Sequence, residues 1–585
     1  MNYKLKGATS QEKQGTLVTA LGRLIPLLRG EEKNLLITFI AILFSAGATL
    51  AAPVIIARAV DVYIQAKNYH GILILSGILL GIYIVGSITS YIQTITMGRV
   101  GQRVLFNLRN NIFMKLQELP IAFFNQNRAG DLISRINNDT NMLNQFFAQS
   151  LAQFIGSSVT IFGIGIFILI LNIRLGAATL VPAFIVLGVT QVLSSWVQRK
   201  NLTSLRSLGG MSAEIQESIE NFKVMVAFNR LDYFREKFNQ ANVINYRASV
   251  GAGVANNLFA PLYDLSYDLG QLIVLTYGIY LITTGNFTVG LLIGFLLYAN
   301  NFYNPLRQFA SVWSSLQLAL AGLNRISEVL ALHSDMPVVA AEPNASPFML
   351  EFKDVSFRYP EGKEVLRHVN LRFDKGKTYA LVGPTGGGKT TIASLMARLY
   401  DPTEGMVLLD GRDIRSYQPQ ERTQKVGFIL QEPFLFTGSI KDNILYGNPQ
   451  YRDYSTEELH TLLEKENLSD LLEGFEQGLD TPISSSGDTI SLGQKQLIAF
   501  MRAVLRNLEL LILDEATANI DTVTEQLLDK ILNKLPASTT KIVIAHRLNT
   551  INEADEIYFV NSGEVTAAGS MQNAVDMLLH GKRES

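Results

Sequence analysis

The run Gly383, Pro384, Thr385, Gly386, Gly387, Gly388, Lys389, Thr390 and Thr391 meets the spacing G-x-x-x-x-G-K-[ST] of a phosphate-binding loop. Glycines let the backbone wrap a polyphosphate and aim its N–H groups at the oxygens, while a helix N-terminus adds favourable potential for anions. In that arrangement Lys389 reaches the β and γ phosphates and the Thr390 hydroxyl ligates Mg²⁺. The neighbouring residues supply the required context: 379–382 reads as an apolar strand and 391–397 as a helix. A glycine turn ahead of a core helix is the plain alternative, and the strand–loop–helix order weighs against it. Further on, 510–515 reads Leu-Leu-Ile-Leu-Asp-Glu, a buried strand ending in two acids. Asp514 beside a phosphate loop suits Mg²⁺ held through hydroxyl and water, and Glu515 suits orienting or deprotonating an attacking water. Alone that strand would say little; with the loop upstream the two make a set.

The elements that position such a set begin near residue 348. From there short β-branched runs alternate with helical stretches, the pattern of α/β layers, after a polar, Pro-bearing linker at 334–347. The first half is different. Apolar segments near 34–62, 71–98, 148–171, 175–197, 255–283 and 289–312 can each cross the ~30 Å hydrocarbon core, which needs ~20 residues. The expected fold is a multidomain membrane protein: an all-α six-helix transmembrane domain followed by an α/β P-loop nucleotide-binding domain. The expected boundaries are 1–33 for a cytoplasmic segment with an interfacial amphipathic helix at 17–29, 34–333 for the membrane domain, 334–347 for the linker and 348–585 for the nucleotide-binding domain. The N-terminus shows no short apolar region with a small-residue cleavage site, so it does not read as a signal peptide.

Composition narrows the classes. At 585 residues the chain is too long for one core, and its net charge of −1 gives no footing for a nucleic-acid partner. It has no cysteine, which excludes disulfides, thiolate metal sites and cysteine nucleophiles. Basic residues gather in the N-terminal segment and the two long connections, leaving only Lys67 and Arg174 in the short loops. The N-terminus, both long connections and the C-terminal half are therefore expected on the cytoplasmic side. The long connections read as helices that continue the spans, broken at tips about 123–131 and 221–229. A short crosswise helix at each tip would dock on the soluble half; a solvated loop would leave Phe123, Phe124 and Phe228 exposed without reason.

Asp264 and Asp268 lie one helical turn apart at the inner end of the fifth span. Each would cost about 2.5–3.5 kcal/mol at the bilayer centre, so they should face protein or a water-filled cavity. Two readings stay open: a cation-attracting wall of a substrate cavity, or interfacial acids paired with basic or amide groups. Asn300, Asn301 and Asn304 make a similar polar face in the sixth span, which Pro305 can kink. Arg58 and Asp61 are expected to pair with each other.

With these motifs in hand, the C-terminal half resembles the nucleotide-binding domain of ABC transporters, and the whole chain resembles an exporter-type half-transporter. Its motifs follow the family order: Tyr359 in Phe-Arg-Tyr-Pro, the loop at 383–391, Gln431 in Ile-Leu-Gln-Glu, Ser491-Leu-Gly-Gln494, Asp514-Glu515, Asn519-Ile-Asp521 and His546 in Ile-Ala-His-Arg. The resemblance implies that Tyr359 stacks on adenine, that Gln431 senses Mg²⁺ and contacts the coupling helices, and that His546 holds the γ-phosphate end. It implies Glu515, His546 and Lys389 as catalytic residues and Thr390, Gln431 and Asp514 around Mg²⁺. Ser491, Leu492, Gly493 and Gln494 would reach ATP held by a partner, with Asp521 at the dimer contact. It places the two coupling helices at 124–131 and 222–229. A subunit of an ATP-driven exporter in a bacterial cell membrane is implied, moving hydrophobic or amphipathic compounds, cationic ones among them. The rival is a homodimeric lipid flippase of the same architecture, whose cavity would call for facing Arg and Lys. A channel-type relative would not need the catalytic set, and a peptide exporter with a processing protease would need a cysteine domain ahead of the first span.

One motif departs from the family. Its signature is usually Leu-Ser-Gly-Gly-Gln, whereas this chain reads Ile490-Ser-Leu-Gly-Gln494. Leu492 stands where a glycine would permit φ > 0 and close backbone approach. Ser484-Ser-Ser-Gly487 also lacks the glutamate common in that region of exporters. An intact phosphate loop and Glu515 beside an altered signature is the pattern of bacterial heterodimeric multidrug exporters. There one chain completes the catalytic half, and its partner carries the usual signature with an altered Walker B. A heterodimer is thus expected ahead of a homodimer that tolerates the substitution.

Overall fold

A computed structural model of the chain describes residues 2–5, 22, 24–340, 345–360, 362–466, 468–472, 474–484, 490–514, 522–544 and 554–580. They form two compact units. A helical unit comprises 6–117 and 130–331, and an α/β unit comprises 1–5, 118–129 and 332–585. The α/β unit thus takes in the linker and the tip of the first long connection as well as the expected 348–585.

In the helical unit, five described stretches are long and apolar enough to cross a membrane: Glu32–Ile64, Tyr69–Glu118, Ala129–Leu171, Ile173–Glu220 and Leu231–Thr283. The sixth expected span falls on the helix Val289–Leu330, where Asn300, Asn301 and Asn304 interrupt the apolar run. The Tyr69–Glu118 helix has 50 residues, so at ~1.5 Å per residue it is ~75 Å long against a core of ~30 Å. Its polar end must project well beyond the bilayer. Thr288 caps the last helix by accepting from the Leu291 N–H. Asp61 strengthens that end, taking the Gly290 N–H at 2.7 Å and the Thr288 hydroxyl at 2.6 Å. Asp61 therefore serves the N-terminus of the last helix, where a carboxylate is favoured, instead of the Arg58 partner expected from the sequence.

A buried charge cluster ties the segment after the first tip to the end of the last helix. Arg135, almost wholly buried, donates to Asp131 and Glu328 at 3.1 Å each, while Arg325 pairs with Asp131 at 2.8 Å and Asp139 at 3.2 Å. Each of these four ion pairs sets opposite charges together, and Arg135 also donates to the Arg325 carbonyl, which is what lets a guanidinium remain out of water. Of the expected interfacial helix at 17–29, residues 17–21 and 23 lie outside the described residues. What is described is a short 3₁₀ turn, Ile25–Leu28, with Pro26 in its first turn.

The α/β unit is built on β1 (Phe348–Arg358), β2 (Glu364–Asp374), β3 (Thr378–Val382), β4 (Glu404–Leu409), β5 (Arg412–Asp413), β6 (Val426–Ile429), β7 (Gly438–Ser439), β8 (Pro482–Ile483), β9 (Leu510–Asp514), β10 (Thr540–Ile544), β11 (Glu556–Asn561) and β12 (Glu564–Ala567). One antiparallel sheet has the order β2-β1-β4-β5; the central sheet has the order β12-β11-β3-β10-β9-β6. Only β12 runs antiparallel in the central sheet. Every residue of β9 is buried, as expected of a strand covered on both faces, which explains its continuous apolar run. The parallel order brings the C-terminal ends of β3, β9 and β6 to one edge, where ligands of such sheets bind.

The linker is fixed on this unit. Arg398, itself buried, donates to the Pro337 carbonyl at 2.7 Å, and the Val339 N–H donates to the Arg415 carbonyl at 3.1 Å. The first tip forms the short helix Ile121–Gln126 and belongs here too; the second forms Phe222–Ala227 and belongs to the helical unit.

Candidate nucleotide site and polar membrane strip

β3 ends at Val382 and the phosphate loop follows, opening the helix Lys389–Met396. Gly383 has φ 146° and Gly388 has φ 113°, conformations that L side chains rarely adopt. A Cβ on Gly383 would run into the Val560 carbonyl of β11, so glycine is required by the neighbouring strand as well as by its own torsion. Lys389 is almost fully buried, and its Nζ donates to the Gly383 and Pro384 carbonyls at 2.8 and 3.0 Å. Its charge is thereby pinned inside the curl of the loop.

The Thr390 hydroxyl donates to Asp514 Oδ1 at 3.3 Å, and Asp514 is nearly buried at the end of β9. Loop hydroxyl and strand carboxylate thus converge, as their positions in the sequence lead one to expect. Gln431 lies two residues past β6, whose Ile429 pairs with Leu513, so it stands at the same sheet edge as Asp514. The oxygen donors of Thr390 and Asp514 are the hard ligands Mg²⁺ takes. No cluster of three or more His, Cys, Asp or Glu able to hold a metal occurs among the described residues. Tyr359 arrives from the end of β1, its hydroxyl 3.1 Å from Thr391 Oγ1 and its ring edge-on to Phe357 and Tyr400. Glu515, Asp521 and His546 lie outside the described residues; the strands that lead to Glu515 and His546 end at Asp514 and Ile544.

Ser491 caps the helix Leu492–Val504 through a capping box: the Gln494 N–H reaches Ser491 Oγ at 3.2 Å, and the Ser491 N–H reaches Gln494 Oε1 at 2.9 Å. Leu492 is the first helical residue and is not among the positive-φ residues. The backbone objection raised by the sequence does not hold in this conformation, because a helix start needs no φ > 0; the bulk of the side chain is what differs from glycine. A Cβ on Gly493 would sit 3.0 Å from Thr524 Oγ1, so the second glycine of the motif serves packing.

In the helical unit, a polar strip joins the helices Phe259–Thr283 and Val289–Leu330. Gln271 donates to the Tyr267 hydroxyl, which also accepts from Asn300 at 3.0 Å, and Asn304 donates to Asn300 at 3.0 Å. Asp264 is within 3.5 Å of Arg307, each more than half exposed. Asp268 is exposed on the same face, and Asn301, next to Asn300 in the chain, is half-buried. Arg307, absent from the sequence expectations, neutralises one of the two acids. A signal for it was present, since it follows Asn304 by one helical turn in Asn304-Pro305-Leu306-Arg307, the spacing that sets two side chains on one helix face. Only the fold shows which acid it meets.

A P-loop ATPase unit with its hydroxyl, carboxylate and lysine in place, joined to apolar helices of membrane-crossing length, defines an ATP-driven membrane transporter. Residues 35–306 match the ABC transporter transmembrane region and residues 366–518 match the ABC transporter domain. The chain is 32% identical to an uncharacterized ABC transporter ATP-binding protein, YfiC, of Bacillus subtilis, over 97% of this chain and 94% of that protein. It is 30% identical to a fatty acid ABC transporter ATP-binding/permease protein of Mycobacterium bovis, over 95% and 90%. It is 29% identical to a multidrug resistance ABC transporter ATP-binding and permease protein of Lactococcus lactis, over 95% and 94%. The chain belongs to the ABC transporter family and has the architecture of an exporter half-transporter, hydrolysing ATP to drive transport.

Proposed function

We propose that the chain is one subunit of a heterodimeric exporter that moves hydrophobic or amphipathic compounds, cations included, out of the cytoplasm or inner leaflet of a bacterial cell membrane. The observation that carries this reading is the conjunction of an intact phosphate site, built around Lys389, Thr390 and Asp514, with Leu492 in the signature. Two ATPase units would close on nucleotide held between the phosphate loop of one and the Ser491 helix of the other. Mg²⁺, bound near Thr390, Gln431 and Asp514, would supply charge neutralisation on the β and γ oxygens. Lys389 binds those same phosphates, Tyr359 takes the base, Glu515 orients and deprotonates the attacking water, and His546 steadies the γ-phosphate end.

The helix Phe222–Ala227 supports a second subunit. Phe222, Val224 and Val226 on it, and Phe228 just past its end, are all more than half exposed, an apolar patch that calls for a partner. The excess of basic residues in the long connections favours a cytoplasmic N-terminus and ATPase unit. The polar strip of Asp264, Tyr267, Asp268, Asn300 and Arg307 is too costly to face lipid, so it would line the cavity between subunits. One relative's name points to multidrug resistance and another's to fatty acids; the net excess of acid on the strip favours cationic amphiphiles over fatty acids and over the anionic head groups a flippase would take. Co-purification of the tagged chain expressed with its genomic neighbours tests the assembly. A second half-transporter with an ordinary signature is expected, and full drug-stimulated ATPase from this chain alone would defeat the heterodimer.

A further inference from the structure

Residues 2–5 open the segment expected ahead of the first span, yet Tyr3 is fully buried in the ATPase unit. Its hydroxyl proton goes to Asp335 Oδ1 at 2.7 Å, with the His333 carbonyl alongside at 3.1 Å, and the same oxygen accepts the Asp335 N–H at 2.8 Å. Its backbone N–H donates to Gln126 Oε1 at 2.9 Å, and its carbonyl accepts from Asn127 Nδ2 at 3.0 Å. The Leu5 N–H donates to Asn127 Oδ1 at 3.0 Å. The Tyr3 ring meets the buried Phe123 ring edge-on at 6.4 Å. A single short segment therefore holds the linker with one end of a side chain and the helix Ile121–Gln126 with its backbone. Burial, and then the hydrogen bond to Asp335, push the Tyr3 phenol up to about 12, which keeps it a donor at any physiological pH.

The far side of that helix leads to the nucleotide site. Asn125 Nδ2 donates to the Tyr400 hydroxyl at 2.7 Å, and the Tyr400 ring packs edge-on against Tyr359 at 5.2 Å. Tyr359 in turn touches Thr391 of the phosphate loop. We infer that Tyr3 is a positioning residue for nucleotide binding: residues 2–5 clip the helix Ile121–Gln126 to the ATPase unit, and Asn125 passes that position through Tyr400 to Tyr359. The clip makes the tip of the first long connection and the base-binding tyrosine one mechanical body. The inference rests on the reading that Tyr359 meets the adenine.

The test is ATP hydrolysis by the assembled transporter in detergent, with ATP as the only probe. Tyr3→Ala and Asn125→Ala should each raise KM for ATP about five-fold or more, the lower end of usual coupling factors, while kcat stays within about two-fold. A merely structural Tyr3 would lower the yield of active protein and hence kcat, leaving KM where it was; that outcome overturns the clip. Because the chain has no cysteine, the pair Leu5→Cys with Asn127→Cys can be added to Tyr3→Ala. Oxidation should restore the KM and reduction should raise it again, and a KM indifferent to oxidation also overturns the clip. Tyr359→Ala separates the two readings. If it raises KM and Tyr3→Ala does not, the relay is wrong; if neither does, the adenine assignment falls and takes the relay with it.

Discussion

The phosphate loop and the polar membrane strip both place charge where water is scarce, and they finish the task differently. Lys389, Thr391 and Asp514 are each nearly buried, and the loop carbonyls and the Thr390 hydroxyl are bonded to Lys389 and Asp514 within the protein itself. On the strip, Asp264 and Arg307 are more than half exposed at 3.5 Å from each other, a loose contact of the kind worth little. A preorganised site loses little reorganisation energy when substrate binds. An open strip instead leaves its donors and acceptors to whatever enters. On the proposed multidrug reading, that is the contrast expected between a site for one invariant fuel and a site for varied cargo.

The sharpest way to break the contrast is at Lys389. Lys389→Ala removes the charge at the centre of the loop and should lower ATP turnover by ~10²–10³, the usual effect of deleting one preorganised electrostatic group. Turnover in the assembled transporter checks this, with Glu515→Gln as the companion that keeps ATP binding but nearly abolishes hydrolysis. A loss of under about ten-fold at Lys389 would mean that the loop is no better organised than the strip.

The strip should respond more gently, and unequally. Asp268 is exposed and Asp264 leans on Arg307, so Asp268→Asn should slow efflux of a lipophilic cation about five-fold, the scale of ~1 kcal/mol expected for one exposed charge pair. Asp264→Asn should cost less for cations and improve efflux of a fatty acid, because it unmasks the Arg307 guanidinium. Efflux from proteoliposomes of tetraphenylphosphonium and of a labelled fatty acid distinguishes the two. Equal effects at both acids would show that the Asp264–Arg307 contact does not persist in the membrane.

How far each region was legible follows from how it is built. The phosphate site is local: loop, flanking strand and following helix are contiguous in the chain, so the residues from Gly383 to Thr391 declare themselves, and Asp514 ends a strand apolar on both faces. The spans were legible from length alone, although Asn300, Asn301 and Asn304 dilute the last one. What escaped was long-range and polar. Nothing in Met1-Asn-Tyr-Lys-Leu marks Tyr3 for burial, since its partners lie at Gln126, Asn127 and Asp335. Asp61 looked like a partner for nearby Arg58, but a helix N-terminus far along the chain, at Thr288 and Gly290, offers it two donors. The charge cluster around Arg135 was invisible for the same reason: ion pairs across distant helices leave no periodicity.

Leu492 probes the boundary between the two kinds of site with the smallest effect. It begins a helix with ordinary backbone torsions and a complete capping box behind it, so Leu492→Gly neither relieves strain nor removes a cap. The substitution should cost at most ~1 kcal/mol of stability, the penalty of glycine against a good helix former, and less than that at a first helical position. What it would gain is space: on the reading proposed above, the leucine side chain lies between the Ser491 helix and the γ-phosphate of ATP held by a partner. In the assembled transporter hydrolysis should rise about two-fold as the second site joins the first, a change of under ~0.5 kcal/mol in barrier. Single-turnover measurement with this chain's own site silenced by Glu515→Gln is the decisive form. Unchanged turnover there would place the defect of the second site in the partner chain, and the leucine would be a tolerated packing variant.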